Sequence, residues 1–224
     1  MDLTLKFRLE RGGCMNRCDW CKSEEIYVKY HDEEWGQPVH DDRVHFEFLV
    51  LESAQSGLSW LTILRKRENY RKAYDNFDAA KVARYGEEKI AELLSNPGII
   101  RNRSKIESSI NNAKRFVEIQ KEYGSFDRYI WSFVDNKPVV NSYKDISGVP
   151  AVSALSDQVS KDLKKRGFKF LGSITVYSYL QATGIVDDHI DTCFRKTPLT
   201  VWLPSDLCRI FPYPIVSCIN HFTD

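Results

Sequence analysis

From Asp41 onward, apolar residues recur mainly at the three- and four-residue spacing of an α-helix, and clusters of Gly, Pro, Asn and Ser punctuate the runs. Asp41 and Asp42 can cap a helix whose apolar positions Val44, Phe46, Phe48, Leu49, Leu51 and Ala54 follow too closely for a solvated face, so this element is predicted to be largely buried. Gly57 ends it, and Ser59 can cap a second helix from Trp60 to Tyr74. Asp78 opens a short helix before Gly86, and Asn96-Pro97-Gly98 breaks the one that follows. A long basic helix is predicted from about Arg101 to Tyr123 on the stripe Ile106, Ile110, Ala113, Phe116 and Val117, and another over Phe126 to Val134. After a loop to about Leu155, Ser156 is expected to cap a helix to Arg166, and a glycine-bounded connector, Gly167 to Gly172, leads to an apolar helix from Ser173 to Thr183 that Gly184 terminates. Residues 1–25, with Gly12-Gly13 and a Cys-rich stretch, read as a tail entering the fold, and 197–224, rich in proline and β-branched residues, as an extended tail. The expectation is an all-α protein of two helical lobes.

Composition adds limits rather than identity. Lys plus Arg total 32 against 31 Asp plus Glu, so a net charge of +1 exerts no global pull toward polyanions, and any such surface requires local charge segregation. No window approaches the roughly 18 uninterrupted apolar residues of a membrane span, and no signal layout opens the chain, so the expected address is the cytoplasm without a membrane partner. The six Cys, at 14, 18, 21, 193, 208 and 218, crowd the two ends, which fits reduced thiols, some on a metal, better than a laced secreted scaffold.

Three groups of residues carry candidate chemistry. In the connector, the first amides of the helix starting at Ser173 lack intrahelical acceptors, Gly172 permits close approach of another backbone, and Lys161, Lys164, Lys165, Arg166 and Lys169 supply positive charge. That combination suits a phosphate; an ordinary solvated helical hairpin carries the same charges. Cys18 and Cys21 have the gap of a thiolate pair, His31 follows, and His189 and Cys193 can share one side of a helical turn. Two thiolates and two imidazoles would close a tetrahedral zinc, while buried thiols and hydrogen-bonded histidines fit the same spacing. Finally, Glu52 lies in the buried-looking helix, where a carboxyl group must find a partner or change its pKa, and Gln55, Gly57 and Trp60 follow within eight residues. A salt-bridged core glutamate remains an alternative at this stage.

Taken together, Arg17-Cys-Asp-Trp20, Tyr30-His-Asp-Glu-Glu-Trp-Gly36, Leu51-Glu-Ser-Ala-Gln-Ser-Gly-Leu-Ser-Trp60, Lys66-Arg-Glu-Asn-Tyr70, Gly98-Ile-Ile-Arg-Asn-Arg103, Trp131-Ser-Phe133, Leu163 to Gly172 and Val186-Asp-Asp-His189 form a collinear series. This series resembles the 3-methyladenine DNA glycosylase I family, a zinc-containing branch of the helix-hairpin-helix DNA glycosylases. The resemblance implies a glycosylase domain over residues 17–195 with a base-binding pocket between its lobes, flanked by a tail (1–16) and an extension (196–224). It further implies hydrolysis of the N-glycosidic bond of 3-methyladenine in alkylated double-stranded DNA, releasing the free base for base excision repair, by a monomer. A zinc-stabilised DNA-binding protein of the same fold without turnover is the alternative.

By the same resemblance, Cys18, His31, His189 and Cys193 are the zinc ligands, leaving Cys14 and Cys21 as extra thiols. An anionic Glu52 would hydrogen-bond the flipped base and favour its positive charge, Tyr30 and Trp60 would stack on it, and Trp20 would bound the pocket. Gln55, Gly57 and Leu58 would probe the opened duplex, and Lys169 with the amides near Gly172 would hold its backbone. Asp187 stands where many relatives in the wider superfamily carry a catalytic aspartate, but the 3-methyladenine branch works without it, so a structural role is expected. The hairpin departs from the superfamily's Gly-x-Gly by placing Phe170 at the first glycine. No lysine matches the superfamily's lyase position, so a monofunctional hydrolase is expected.

Overall fold

A computed structural model describes residues 15–198. Most of the predicted amino-terminal tail, Cys14, and the predicted extension beyond 198 with Cys208, Cys218 and His221 lie outside the described residues. The helices are α1 (Glu25–Glu33), α2 (Asp42–Gln55), α3 (Trp60–Ala73), α4 (Ala79–Val82), α5 (Glu87–Ser95), α6 (Arg103–Tyr123), α7 (Phe126–Trp131), α8 (Ala154–Lys165) and α9 (Ser173–Ala182). The fold is thus essentially all-α, as the periodicity predicts. Its strands among the described residues are the two-residue pieces β1 (Val139–Val140) and β2 (Val186–Asp187), paired in parallel with Val139 opposite Val186.

Helix α2 is the axis of the molecule. Residues His45 to Ala54 are buried in unbroken succession, and α2 packs against α3, α6 and α7 as well as against α9. Each fully buried Phe or Leu of this run contributes on the order of 1.5–3 kcal/mol, so α2 holds its place by packing on every side. Its start is fixed by Asp41, whose side chain accepts from the amides of Arg43 and Val44 at 2.8 and 3.2 Å.

Two local expectations change. The α8 cap is Ser153 rather than Ser156: Ser156 occupies the third helical position and returns the bond, its amide donating to Ser153 Oγ at 3.1 Å while the Ser153 amide donates to Ser156 Oγ at 2.9 Å. Either serine looks like a cap in isolation; the reciprocal pair assigns their positions. Helix α1, within a segment assigned no element from its pattern, carries Tyr30 and His31 inward among polar neighbours.

The end of α9 depends on Gly184. Its φ is +66°, and an added Cβ would lie 2.2 Å from the carbonyl carbon of Gln37, so the 183–186 turn and the 36–39 segment touch backbone to backbone. There the Gly36 amide donates to the Gln181 carbonyl at 3.1 Å and the Val39 amide to the Thr183 carbonyl at 3.0 Å. Gly184→Ala is expected to cost about 3 kcal/mol or more of unfolding free energy, read as a lowered urea midpoint; an unchanged midpoint would contradict this packing.

Candidate active site and metal centre

The buried run of α2 places two glutamates inside the protein, and they meet opposite environments. Glu47 Oε1 accepts from Arg67 Nε at 2.6 Å and Arg71 Nε at 3.0 Å, a paired carboxylate that holds α2 to α3. Glu52, five residues on and 4% exposed, has an oxygen, Oε2, without any hydrogen-bond partner. Burial pushes its pKa up to about 8. A carboxyl group so placed holds its proton to higher pH than an ordinary glutamate, whereas the resemblance implies an anion there.

Glu52 faces a cavity of about 320 Å³ shared with Trp20, Tyr30 and Trp60, with Gln55, which was expected at the duplex probe, and with Tyr27 and Trp35. The Tyr30 and Trp60 rings lie 5.5 Å apart at 52°, and Trp20 meets the Trp35 and Tyr27 rings edge-on at 5.0 and 4.9 Å. Burial, then the proximity of Glu52, raises the Tyr30 pKa far above that of a free phenol, so its hydroxyl keeps its proton. Among the described residues three buried side-chain polar atoms lack a partner: Glu52 Oε2, Trp60 Nε1 and Arg195 Nε. Two of the three belong to residues lining this one cavity, an acceptor and a donor left open among aromatic rings.

The lining is completed by Tyr177, Ser178 and Gln181 from α9 and by Ile146, Val149, Pro150 and Ala151. These residues were not singled out in the sequence; the polar Ser178 and Gln181 inside an otherwise apolar helix were the available signal.

A second hollow, of about 650 Å³, adjoins the first and runs between the Gln55–Leu58 turn and the α8–α9 connector. Gln55, Gly57, Leu58 and Gly172 line it, as does Phe170. Leu58, Phe170 and Ile174 are 41%, 43% and 64% exposed, an apolar rim around a concave face. Lys105 supports the turn from beneath, its Nζ donating to the carbonyls of Ala54 at 2.8 Å and Ser56 at 2.6 Å.

The connector is fixed by α6. The Lys169 amide donates to Asn112 Oδ1 at 2.8 Å, Asn112 Nδ2 donates to the Lys169 carbonyl at 2.9 Å, and Asn111 Nδ2 to the Gly167 carbonyl at 2.8 Å. Lys169 is exposed and outside the lining of either hollow, and its amide, expected among the anion-binding groups, is already committed. Phe170 adopts φ +58°, the left-handed conformation favoured by glycine, so the connector keeps that backbone shape with a bulky residue. Arg166, also read as counter-charge, is tied to Glu122 and Asp162 at 2.7 and 2.8 Å.

Behind the aromatic wall, Cys18, His31, His189 and Cys193 bring one ligand atom each within 4.8 Å of one another, all four buried. Cys18 Sγ lies 3.6 Å from His189 Nδ1, and Cys193 Sγ lies 3.4 Å from His31 Nε2 and 3.5 Å from His189 Nδ1. The outer ring nitrogens are engaged: His31 Nδ1 meets Asp32 Oδ1 at 2.8 Å, with Asp32 held by Arg17, and His189 Nε2 meets the Trp35 carbonyl at 3.2 Å. That pattern turns both inner nitrogens toward one point, as in metal-binding histidines. Hydrogen bonds from Cys18 and then from the two imidazoles push Cys193 toward thiolate. The set can hold a metal ion. Cys21 is not in it, since its thiol bonds the Cys18 carbonyl at 3.1 Å. Trp35 joins the two sites, lining the cavity while its ring packs edge-on to His189 at 4.5 Å.

Asp187 stands apart from the cavity lining. Buried, it accepts from the His189 amide at 3.0 Å and the Thr197 amide at 2.9 Å, which gives it the expected structural role.

A sequence profile of the methyladenine glycosylase family matches residues 20–196. The DNA-3-methyladenine glycosylase of Haemophilus influenzae is 45% identical over 181 residues, covering 81% of this chain and 98% of that protein. DNA-3-methyladenine glycosylase 1 of Escherichia coli K12 is 44% identical over 179 residues, 80% and 96% of the two chains. A crystal structure of 3-methyladenine DNA glycosylase I superposes with a TM-score of 0.79 at 44% identity, over 81% of this chain and 100% of the other. The Staphylococcus aureus enzyme, whose structure addresses 3-methyladenine recognition, gives 0.79 at 42% identity over 83% and 99%.

An acid whose folded pKa is raised binds its proton more tightly in the folded state, so its contribution falls as pH rises from the unfolded value near 4.5 to about 8, then levels. Each unit corresponds to about 1.4 kcal/mol, and Glu52→Gln is accordingly expected to match the native protein in urea titrations below pH 4.5 and exceed it by a few kcal/mol above pH 8. Parallel curves across that range would place Glu52 in a wetter setting.

Proposed function

The chain belongs to the methyladenine glycosylase family, and from that premise we propose that it is a monofunctional DNA-3-methyladenine glycosylase. It hydrolyses the N-glycosidic bond of 3-methyladenine in alkylated duplex DNA, as a monomer in the cytoplasm, at the start of base excision repair. The glycosylase domain spans 17–195. The observation that carries this reading is the buried Glu52, one oxygen unpartnered, in an aromatic cavity that adjoins a second hollow of about 650 Å³.

Removing a base from the stack costs a few kcal/mol, and the cavity must recover it. Stacking against Tyr30 and Trp60, with Trp20 at the boundary, offers about 1–3 kcal/mol per ring. A methylated ring nitrogen makes the base a cation. Its charge draws the proton off Glu52 and pairs with the anion so formed in a low-dielectric site, an interaction normal adenine cannot match. The cation is also a competent leaving group: when the C1′–N9 bond breaks the base keeps the electron pair and becomes neutral, water adds at C1′, and one proton is released. Little acid assistance is required, which agrees with a site whose one buried carboxyl serves recognition.

Leu58, carried with Gln55 and Gly57 on a turn anchored by Lys105, is suited to wedge between bases as the target leaves the stack. The α8–α9 connector acts as the helix-hairpin-helix element that grips the DNA backbone, through the α9 amino terminus at Gly172 and the Lys169 ammonium. Those contacts are to phosphate and do not read sequence.

For the four-residue cluster we propose a structural zinc ion, one per chain. Zinc–sulfur and zinc–nitrogen bonds of about 2.3 and 2.05 Å at the tetrahedral angle separate S and N by about 3.6 Å, and the three sulfur–nitrogen distances here are 3.4–3.6 Å. The ion would supply no chemistry to the bond broken; it would fasten the wall formed by Trp20 and Trp35.

Incubation with methylated duplex DNA is expected to release free 3-methyladenine on chromatography, with Glu52→Gln and Trp60→Ala each lowering the rate roughly a hundredfold, about 2.7 kcal/mol. Release no faster than spontaneous depurination rejects the assignment. Elemental analysis should find one zinc per chain, lost together with much of the stability in Cys193→Ser and kept in Cys21→Ser; metal retained in Cys193→Ser removes that residue from the ligand set.

A further inference from the structure

Asp188 follows the structural Asp187 and is 1% exposed, yet it lines neither hollow. Three side chains donate to it: Tyr177 Oη at 2.6 Å and Gln181 Nε2 at 2.7 Å to Oδ2, and Asn141 Nδ2 at 2.7 Å to Oδ1. Two of these donors, Tyr177 and Gln181, line the same cavity as Glu52, on the wall that α9 supplies. We infer that Asp188 is a positioning residue that sets the polarity of this wall, orienting the Gln181 amide so that the cavity discriminates cationic from neutral purines.

The argument is one of donors and acceptors. A carboxylate only accepts, so the Gln181 amide must turn its NH₂ to Asp188; the flipped amide would set two acceptor oxygens against each other. With one N–H of Nε2 given to Asp188, Gln181 keeps its second N–H and its carbonyl oxygen, and that oxygen takes no hydrogen bond from the described residues. Its backbone is held as well, the carbonyl accepting from Gly36 N–H at 3.1 Å. The Tyr177 proton is likewise committed, and burial together with the Asp188 bond raises the Tyr177 pKa, which keeps that proton in place. Asp188 therefore removes donors from the wall. A base in the cavity then meets the Gln181 carbonyl oxygen as well as Glu52, and Trp60 Nε1 is a buried nitrogen donor without a partner in the lining.

A neutral adenine presents three ring-nitrogen lone pairs, which the Gln181 carbonyl oxygen suits poorly. Methylation at N3 removes one and adds a full positive charge. On this account selectivity comes from Glu52 and from the α9 wall, and Asp188 governs the latter while touching no base itself.

This inference rests on the glycosylase reading, and the test separates the two. The probes are the permanent cation 3,9-dimethyladeninium and neutral 9-methyladenine, titrated by calorimetry into the full chain. Wild type is expected to prefer the cation. In Asp188→Asn the new amide can donate to Gln181 Oε1, freeing the Gln181 NH₂ to face the cavity, and the cation-to-neutral affinity ratio should fall about tenfold (1.4 kcal/mol). Gln181→Met should lower the ratio similarly, and adding Asp188→Asn to it should change nothing more, because the first residue acts through the second. Metal content and melting temperature are measured on each variant; should Asp188→Asn lose its metal, Gln181→Met decides alone. An unaltered ratio in Gln181→Met, or additive losses in the double variant, overturns the inference while leaving the enzyme assignment standing. A wild type without preference for the cation overturns both.

Discussion

A carboxyl group buried in an apolar cavity with one oxygen unbonded is an unstable arrangement on its own, and the rest of this structure is organised around tolerating it. Glu47 shows the ordinary solution on the same helix: two arginines reach it and the charge is settled. Glu52 is denied that solution. The side chains around its cavity are mainly aromatic rings, uncharged hydroxyls and amides, and no cation among the described residues pairs with it. Such a site is costly when empty and selective when filled, because the group that would relieve it must be small, flat enough for the rings and positively charged. Stability and recognition are therefore opposed at one residue, with the surrounding burial of α2 offsetting the cost.

The DNA-facing surface follows a different logic. With a net charge of +1, the chain does not rely on a broad positive field, and much of the charge near the connector is spent internally. Arg166 serves two acidic residues, Lys105 serves two helix-end carbonyls, and the Lys169 amide serves Asn112. What is left outward is the exposed Lys161, Lys164, Lys165 and Lys169 together with apolar surface, Leu58, Phe170 and Ile174 around a hollow. Under the glycosylase reading, this favours prying a duplex open over merely adhering to it.

The buried character of α2 was legible because ten residues without a solvated face leave few other options, and Glu52 stood out inside that run. Cys18, His31, His189 and Cys193 were legible as a set only through the order of motifs; spacing alone left ligation open, and their convergence depends on contacts between residues 171 positions apart. The features that escaped are long-range or reciprocal. The role of Ser156 is settled by Ser153 returning its bond, and the pairing of Glu47 by arginines on the next helix. The polar wall of α9 was masked by the apolar residues between Tyr177 and Gln181, and its orientation by Asp188 has no local pattern at all. Helix α1 was hidden by its mixture of charged and aromatic residues, which follows from its task of lining a cavity on one side and the cysteine–histidine cluster on the other.

The cluster and the cavity draw on both ends of the described chain: Trp20, Tyr30 and Trp35 come from its beginning, and their support, His189 and Cys193, from near its close. During synthesis the ribosome delivers the aromatic half of the cavity early and its buttress more than 150 residues later. A nascent or truncated chain lacking the histidine and cysteine that follow β2 has the aromatic rings of the cavity along its length without the cluster that supports them. Under the glycosylase reading, the wall of the base cavity thus waits for its support until residues 189–193 have joined residues 18–31.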